Sequence, residues 1–332
     1  MTKTRFIINA LALIVCSLTF TSLAQARHVV GDTWILNFSV AQTFVKPSGD
    51  DNGPCSRALP CQTFNTAMTR TSPGGEVIAM ESGVYDPVTI TKAVTILAPP
   101  GVHALILSPA GVNAVTINPG DSDVVVLRNL KLKSLGGSDV GIKFETGDTL
   151  GYEELYVEGL VIDGFMFGVT FNGPAHLSVS DTTTRGRQRA NTGLLSGVGI
   201  LIPDTSDSQS KVTIERCRIE RYELGISNIG NRLTVRDSVI TDNQTGIFSN
   251  SPDVDQSGLG TARSVVENTV VTHCLYGIQV SGTAVLWLAN STLSYNAQAL
   301  LAPAANRIFS QVNNHNIIRW NDYPGISPTL LN

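Results

Sequence analysis

Short stretches in which apolar and polar residues alternate cover most of this chain, and turn residues interrupt them repeatedly. In "RLTVRDSVITDNQTGIFSN", residues 232–250, Leu233 and Val235 alternate with polar neighbours, a second short strand follows, and a third begins after Gly246. The pattern therefore predicts three short strands joined by turns. No helix-length amphipathic stretch separates them, which excludes a doubly wound α/β fold.

Nearly the same phrase recurs along the chain, with copies at 155–169, 211–228, 263–281 and 286–300. Each copy ends in a glycine, and these glycines form a column in which members are roughly 20 to 30 residues apart. The column contains Gly141, Gly168, Gly199, Gly225, Gly246 and Gly277, with Ala299 as an imperfect last member. Such a period indicates a solenoid of about ten coils, in which each strand pairs in parallel with its counterparts about 4.8 Å above and below. We expect these glycines to supply the positive φ of a sharp turn.

Two further columns of the phrase predict the bends and the surface. The fifth position is expected at a bend, because short amide and carboxylate side chains can bond turn backbone there: Asn129, Asp181, Asp237, Asn268 and Asn290. The fourth position carries charges: Arg128, Glu158, Glu215, Arg236 and Glu267. Arg236 should lie between Glu215 and Glu267, in a solvent-facing ion ladder of small energetic value.

The ends of the chain differ from the repeats. Lys3 and Arg5, an apolar run and "SLAQA" have the features of a signal peptide cleaved after Ala26. The segment "CQTFNTAMTR" has apolar residues at helical spacing and is predicted to cap the first coil, because open solenoid ends expose strand edges. We expect the following division: a signal peptide (1–26) and one solenoid domain (27–332), with an N-terminal cap region (42–75), coils (76–318) and an irregular C-terminal cover (319–332).

Composition limits the partners of the protein. Charged residues make up 15% of the 332 residues and the net charge is −4, so nucleic acid is excluded as a partner. No apolar run after the signal is long enough for an integral membrane segment. The chain is therefore expected to be secreted, to the periplasm or the cell exterior.

The cysteines fit an oxidising compartment. Cys55 and Cys61 bracket the short loop "SRALP", for which we predict a disulfide; the alternative is a metal site, although two thiolates without a nearby histidine are a poor zinc set. Cys217 and Cys274 fall in different columns two coils apart, so they are expected to be buried and unpaired.

One region resembles a known family. The stretch "FVKPSGDDNGPCSRALPCQTFNTAMTRTSPGGEVIAMESGVYDPVTITKAVTILAP" is similar to the opening of secreted bacterial right-handed β-helix proteins of the pectin-lyase-like superfamily. The shared motifs are Ser-Gly-Asp-Asp, a cysteine pair, a capping helix, a Gly-Gly turn, I-x-x-x-x-G-x-Y and I-x-K-x-V-T-I. The resemblance extends over nearly all of residues 43–318 and implies an all-β, single-stranded right-handed parallel β-helix with a short N-terminal capping helix. Members include pectate lyases, polygalacturonases, esterases, alginate epimerases, phage tailspikes and proteins without assigned activity.

The motifs of that family's hydrolases are missing from the mature sequence. It contains neither Gly-His-Gly nor Arg-x-Lys, and its one Asp-Asp pair, Asp50 and Asp51, lies in the entry turn. A polygalacturonase-like site is therefore excluded, because inverting hydrolysis needs an acid, a base and a water between them.

Three other arrangements remain open. A lyase would need calcium, for which the candidate ligands are Asp253, Asp255, Asp204 and Asp207, although both stretches equally suit polar loops. An esterase-like set could be built from Asp237, Asp242 and Arg236, although Asp237 belongs to the bend column. His273 follows Asp242 and Arg221 in one column, where it could transfer protons or be an ordinary surface histidine.

The insertion at 185–197 is the most suggestive feature for binding. Arg185, Arg187 and Arg189 would point to one side of an extended loop and could hold acidic polysaccharide, with Asp253 and Asp255 in a second insertion at 249–262. The alternative is a solvated loop. Exposed aromatic candidates for sugar stacking are few: Tyr222, Tyr276, Trp287 and Tyr295.

These observations favour a secreted, non-catalytic protein that binds extracellular acidic polysaccharide or serves as a surface or structural protein. The alternative is a lyase, epimerase or esterase acting on uronic-acid polymers. No metal or cofactor is expected for the first function, and calcium is expected only for a lyase.

Overall fold

The computed structural model describes residues 40–137, 139–146, 152–187, 195–204, 210–252, 262–302, 308–310 and 313–316. It also describes the backbone of two short strands, β1 (Gln25–Ala26) and β2 (Leu36–Asn37), which pair antiparallel. The predicted C-terminal cover and all but the last two residues of the predicted signal peptide lie outside the described residues.

The only helix in the described part of the chain is the predicted cap, α1 (Phe64–Arg70). Thr63 is its N-cap, since the Thr63 side chain accepts a hydrogen bond from the Thr66 amide at 3.1 Å. Its apolar face, with Phe64, Ala67 and Met68, is buried against the first coil. At seven residues, α1 is far too short to cross a membrane, and no other described segment forms a helix that could.

The remaining strands form three parallel sheets, each built from one strand of every coil. Sheet 1 contains β3 (Val40–Val45), β4 (Thr71–Ala79), β7 (Val94–Leu97), β10 (Val124–Arg128), β13 (Glu154–Glu158), β16 (His176–Ser180), β19 (Lys211–Glu215), β22 (Arg232–Arg236), β25 (Arg263–Glu267), β28 (Val285–Ala289) and β31 (Ile308–Ser310).

Sheet 2 contains β5 (Gly83–Tyr85), β8 (Ala104–Ser108), β11 (Leu130–Ser134), β14 (Val161–Phe165), β17 (Thr183–Gly186), β20 (Arg218–Glu220), β23 (Val239–Thr241), β26 (Val270–Thr272), β29 (Thr292–Ser294) and β32 (His315–Asn316). Sheet 3 contains β6 (Val88–Ile90), β9 (Val115–Ile117), β12 (Val140–Glu145), β15 (Phe167–Asn172), β18 (Val198–Ile202), β21 (Leu224–Ile229), β24 (Thr245–Ser251), β27 (Tyr276–Gly282) and β30 (Gln298–Leu301). Three strands per coil, stacked in order, make a parallel β-helix, as the repeat predicted.

Alternation within each strand fills the interior of the helix. Inward residues of neighbouring strands lie in register, as Leu127, Val157 and Val179 do in sheet 1, and each is fully or almost fully buried. The same register places every second residue on the outer face of a sheet, at a spacing of about 4.8 Å from coil to coil. Outer-face columns are therefore the surface that this fold offers to a ligand.

The bends between sheets 1 and 2 agree with the prediction for the fifth column. The five predicted residues have φ between 48° and 56°. Gly159 (φ 68°) and Arg216 (φ 51°) take the left-handed conformation in two coils that have no Asn or Asp at this position. A single left-handed residue thus makes each of these bends.

The glycine column is aligned as predicted, but the predicted reason for glycine is wrong. None of these six glycines has a positive φ. A Cβ on Gly225 would lie 2.5 Å from the carbonyl oxygen of Gly246, and one on Gly168 would lie 2.4 Å from that of Gly199. Glycine is required because the next coil passes too close for a side chain. Ala299 fits because β30 is the last strand of sheet 3 in the part of the chain that the structure describes.

The N-terminal entry is held by a disulfide and by one aspartate. Cys55 and Cys61 are bonded, as predicted, whereas Cys217 and Cys274 are buried thiols. Asp51 Oδ1 accepts from the amides of Gln62 and Thr63 at 2.8 and 3.0 Å. Asp51 therefore fixes the start of α1.

Candidate functional site

The outer face of sheet 2 carries a group of charges that we call the basic face. Two outward columns build it, and each is fixed by strand register. One column places Lys133, Asp163, Arg185 and Glu220 on consecutive strands. The other holds Lys131 and Arg218, with Val161 and Thr183 on the two strands between them. The basic face comprises Lys131, Lys133, Asp163, Arg185, Arg218 and Glu220.

Glu220 organises the two arginines of the basic face. Its side chain is only 8% exposed, and it accepts from Arg185 Nε at 2.6 Å and from Arg218 Nε at 2.5 Å. Burial alone would raise the pKa of Glu220, but the hydrogen bonds from the two arginines outweigh it and lower the pKa. Each oxygen of this ionised carboxylate therefore fixes one guanidinium. Both arginine side chains remain nearly half exposed.

The basic face carries a net positive charge, although the net charge of the whole protein is negative. It holds four cations and two carboxylates, and one of the carboxylates, Glu220, is almost completely covered by its arginines. Asp163 lies 4.0 Å from Arg185 Nη1. The six residues of the basic face thus carry a net charge of about +2, although the whole chain carries −4.

A second feature begins where the basic face ends. The turns from sheet 2 to sheet 3 place Arg221, Asp242, His273 and Tyr295 on consecutive coils. All four residues have φ between 53° and 66°. A cleft of about 480 Å³ lies along them. We call it the turn cleft; its walls are Leu195, Arg221, Asp242, Asn243 and His273.

Hydroxyl groups from the ends of the sheet 2 strands position the ionisable residues of the turn cleft. Thr241 Oγ1 donates to Asp242 Oδ2 at 3.2 Å, and Thr272 Oγ1 lies 3.0 Å from His273 Nδ1. The imidazole also stacks on the ring of Tyr295, with centroids 5.3 Å apart. The carboxylate and the imidazole therefore share one cleft, as their column predicted, but no hydrogen bond or ion pair between them occurs in the described structure.

Asn243 has a structural role in this cleft. Its Oδ1 accepts from the Tyr222 amide at 2.9 Å, and its Nδ2 donates to the Ile219 carbonyl at 3.2 Å. Both ends of the amide are therefore used to join neighbouring coils. Tyr222, which the sequence suggested as an exposed aromatic residue, is fully buried, and its hydroxyl lies 2.6 Å from Thr184 Oγ1.

The predicted arginine loop differs from the structure at its start. Residues 185 and 186 continue strand β17, so Arg185 belongs to sheet 2 and not to a projecting loop. Arg187 points elsewhere, because its Nη2 donates to the Gly137 carbonyl at 2.7 Å, on the turn after β11. Arg189, Asp253 and Asp255 lie outside the described residues. Arg185 and Arg187, the two described members of this set, are thus not brought together in the way that the loop hypothesis required.

The predicted ion ladder of sheet 1 is only partly formed. Arg128 and Glu158 are paired at 2.6 Å. Arg236 lies between Glu215 and Glu267 in register, as predicted, but Glu215 bonds Arg216 at 2.7 Å instead. Neither glutamate forms an ion pair with Arg236 among the residues described.

No set of three or more His, Cys, Asp or Glu side chains is grouped to hold a metal ion in the described part of the chain. Of the four aspartates suggested as calcium ligands, only Asp204 is described. The esterase-like set does not assemble around Asp237, whose carboxylate accepts from the Asn268 amide group in the bend column.

Three cations of the basic face, Lys131, Lys133 and Arg218, were not identified from the sequence, although a signal for them existed. "LKLKS" at 130–134 places Lys131 and Lys133 on the face opposite the buried leucines, and Arg218 begins the short strand "RIE". Strict alternation predicts which residues face outward. It does not predict which outward residues become neighbours, because that depends on the loop lengths between coils.

Comparisons with known proteins support the fold. No protein-family model and no curated protein sequence matches the chain. Among solved structures, a pectate lyase, Pel9A, shares 12% identity over 87% of this chain and 82% of its own, with a TM-score of 0.56. A rhamnogalacturonan lyase (12% identity; 77% and 75% covered; TM-score 0.44) and an alginate lyase from Paenibacillus sp. str. FPU-7 (12%; 83% and 100%; 0.41) are also similar. At these identities the likeness concerns the fold alone. The chain has the right-handed parallel β-helix fold that the repeat predicted.

Proposed function

We propose that this protein binds an extracellular acidic polysaccharide on the basic face of sheet 2. The observation that carries the proposal is a cluster of four cations within four coils, two on β11 and one each on β17 and β20. The covered carboxylate of Glu220 orients the two guanidinium groups. The proposal keeps the polyanion ligand suggested by the sequence, and it replaces a loop by a rigid sheet as the binding surface.

The geometry suits a repeating polyanion. Guanidinium groups bond carboxylates and sulfates through fixed pairs of N–H donors, and their direction is set here because each Nε is already engaged by Glu220. Outer-face side chains repeat with the coils, so an extended polymer can contact several of them at once. Prior ordering of the arginines reduces the entropy lost on binding.

The carboxylates of the basic face act in this proposal as orienting groups and not as catalysts. Each oxygen of Glu220 receives a hydrogen bond from an arginine, so its lowered pKa makes it a poor proton donor. Secretion belongs to the same proposal: a disulfide at Cys55 and Cys61 suits an oxidising compartment, where extracellular polysaccharides are encountered.

One observation favours a second candidate function, an enzyme acting on uronic-acid polymers. Asp242 and His273 lie in one cleft next to Arg221, so a carboxylate, an imidazole and a cation could meet a bound sugar there. This candidate differs from the first in one readout, since only an enzyme shortens or alters the polymer.

The test uses the secreted protein on immobilised polygalacturonate, with sulfated dextran and neutral dextran as parallel supports. We compare the wild type with a Lys131→Gln/Lys133→Gln variant and with Arg218→Gln. Each lost cation should weaken binding roughly two- to fivefold, the value of one exposed ion pair. Arg128→Gln is the matched control, because Arg128 is an exposed, glutamate-paired arginine on sheet 1.

The expected result is retention on polygalacturonate, sulfated dextran or both, with weaker retention of the basic-face variants and unchanged retention of the control. Thermal unfolding is recorded for each variant, so that loss of fold is not mistaken for loss of binding. Equal retention of all proteins, or of none, contradicts the proposal. Release of shortened polymer would instead establish the enzymatic candidate.

A further inference from the structure

The turn cleft directly continues the basic face. Arg221 follows Glu220, the last residue of strand β20, so the first wall of the cleft is one residue from the carboxylate that orients Arg185 and Arg218. A polymer lying across the basic face therefore reaches Arg221, and beyond it Asp242 and His273. The cleft is part of the same surface, although its charges are arranged differently.

His273 is held in place in this cleft. Its backbone is in the left-handed region, its Nδ1 lies 3.0 Å from Thr272 Oγ1, and its ring stacks on Tyr295. The Thr272 contact engages one ring nitrogen, so Nε2 is the atom left for a ligand. The next residue, Cys274, is buried and points its Sγ toward the Thr272 carbonyl.

Among the described residues, the ionisable groups in the walls of the cleft are Arg221, Asp242 and His273. Arg221 contributes +1 and Asp242 contributes −1, on the turns after β20 and β23, and Tyr295 adds only a phenol on the turn after β29. The net charge of the described walls therefore depends on His273. It is zero when the imidazole is neutral and +1 when the imidazole is protonated.

We propose that the turn cleft makes polysaccharide binding depend on pH: protonated His273 holds an anionic group of the polymer, two coils beyond the anionic group that Arg221 contacts, and neutral His273 gives this contact up. The proposal rests on the function proposed above and adds the regulation of that surface. Histidine is the side chain whose charge ordinarily changes between pH 5 and 8. The carboxylates of a polyuronate stay ionised throughout that range, so the change lies on the protein.

The sign of the effect follows from these charges. Lower pH adds a cation where the polyanion lies, so binding should tighten as pH falls from 8.0 to 5.5. One partly exposed ion pair corresponds to a change of about two- to fivefold in affinity. Asp242 opposes anion binding at both pH values, because its negative charge offsets Arg221.

The experiment measures the affinity of the full secreted protein for polygalacturonate at pH 5.5 and pH 8.0, at one ionic strength. The wild type should bind about two- to fivefold more tightly at pH 5.5. His273→Asn should bind equally at both values; asparagine suits the left-handed backbone, so the turn is preserved. His103→Asn, which removes an exposed imidazole before strand β8, is the control and should keep the wild-type ratio.

A second variant tests the charge balance itself. Asp242→Asn gives the cleft at pH 8.0 the charge that the wild type has at pH 5.5, so its binding at pH 8.0 should rise to about the wild-type value at pH 5.5. A wild type that binds with no pH dependence, or a His273→Asn variant that keeps the wild-type ratio, overturns the pH proposal and leaves the basic face intact. A wild type that is not retained at either pH overturns both proposals.

Discussion

The stacked glycines offer a direct test of how closely the coils pack, and Gly246→Ala is the sharpest change. A Cβ at this position would lie 2.5 Å from the carbonyl oxygen of Gly277 and 2.5 Å from Cγ1 of Val271. Ordinary contacts begin near 3.4 Å, so both neighbours would have to move by almost 1 Å. One neighbour is backbone and the other is a stiff β-branched side chain, which leaves little room for relaxation.

Overpacking of this kind costs about 1–3 kcal/mol, and two rigid neighbours place Gly246→Ala near the upper end. For a chain of this size we expect a fall in melting temperature of roughly 5 °C or more. Gly120→Ala is the matched control, because Gly120 lies in an exposed turn and its added Cβ would meet only the carboxylate of Asp123, at 3.2 Å. Its melting temperature should stay within about 1 °C of the wild type.

Circular dichroism at a β-sheet wavelength and calorimetry should both be used, since a solenoid can unfold in more than one step. A Gly246→Ala protein that melts with the wild type by both methods would refute the close-approach explanation of the glycine column. A loss of equal size in Gly120→Ala would show that flexibility of glycine, and not the contact between coils, sets the effect.

Two further predictions concern the ionisable groups. Glu220→Gln should lower the free energy of unfolding by about 1 kcal/mol at pH 7, a value reduced by the exposure of both arginines. Because the folded pKa of Glu220 is lowered, this stability is present above the unfolded pKa, about 4.3, and is lost as pH falls through the folded pKa. The urea midpoints of the two proteins should therefore converge as the pH is lowered below that range, and a constant gap would contradict the network. Burial raises the pKa of Cys217 and Cys274 to about 11. Peptide mapping should therefore find both thiols unmodified by iodoacetamide at pH 8 until the protein is denatured. Rapid alkylation of the native protein would contradict their burial.

The architecture could be predicted because each of its elements repeats. Alternating residues, the Asn and Asp bends and the glycine column are local signals, and every additional coil confirms the one before it. The reason for the glycines could not be found in this way. It depends on the distance between Gly225 and a carbonyl of the next coil, which no local pattern contains.

The basic face illustrates a different limit. Outward positions such as Lys131 follow from alternation, but the pairing of Arg185 with Glu220 joins residues 35 positions apart across an insertion. Whether Glu220 meets Arg185 or another residue depends on how many residues that insertion holds outside the sheet. The start of the insertion was placed two residues too early for the same reason, because the sequence does not mark the end of β17.

The turns between sheets 2 and 3 show that backbone shape and side-chain identity are separable in this protein. An arginine, an aspartate, a histidine and a tyrosine occupy the same left-handed conformation on successive coils. The scaffold accepts four unrelated chemistries there at a modest conformational cost of roughly 1–2 kcal/mol each. The side chains at these turns can therefore change one coil at a time, and a new ligand preference can arise there without changes to the buried interior of the β-helix.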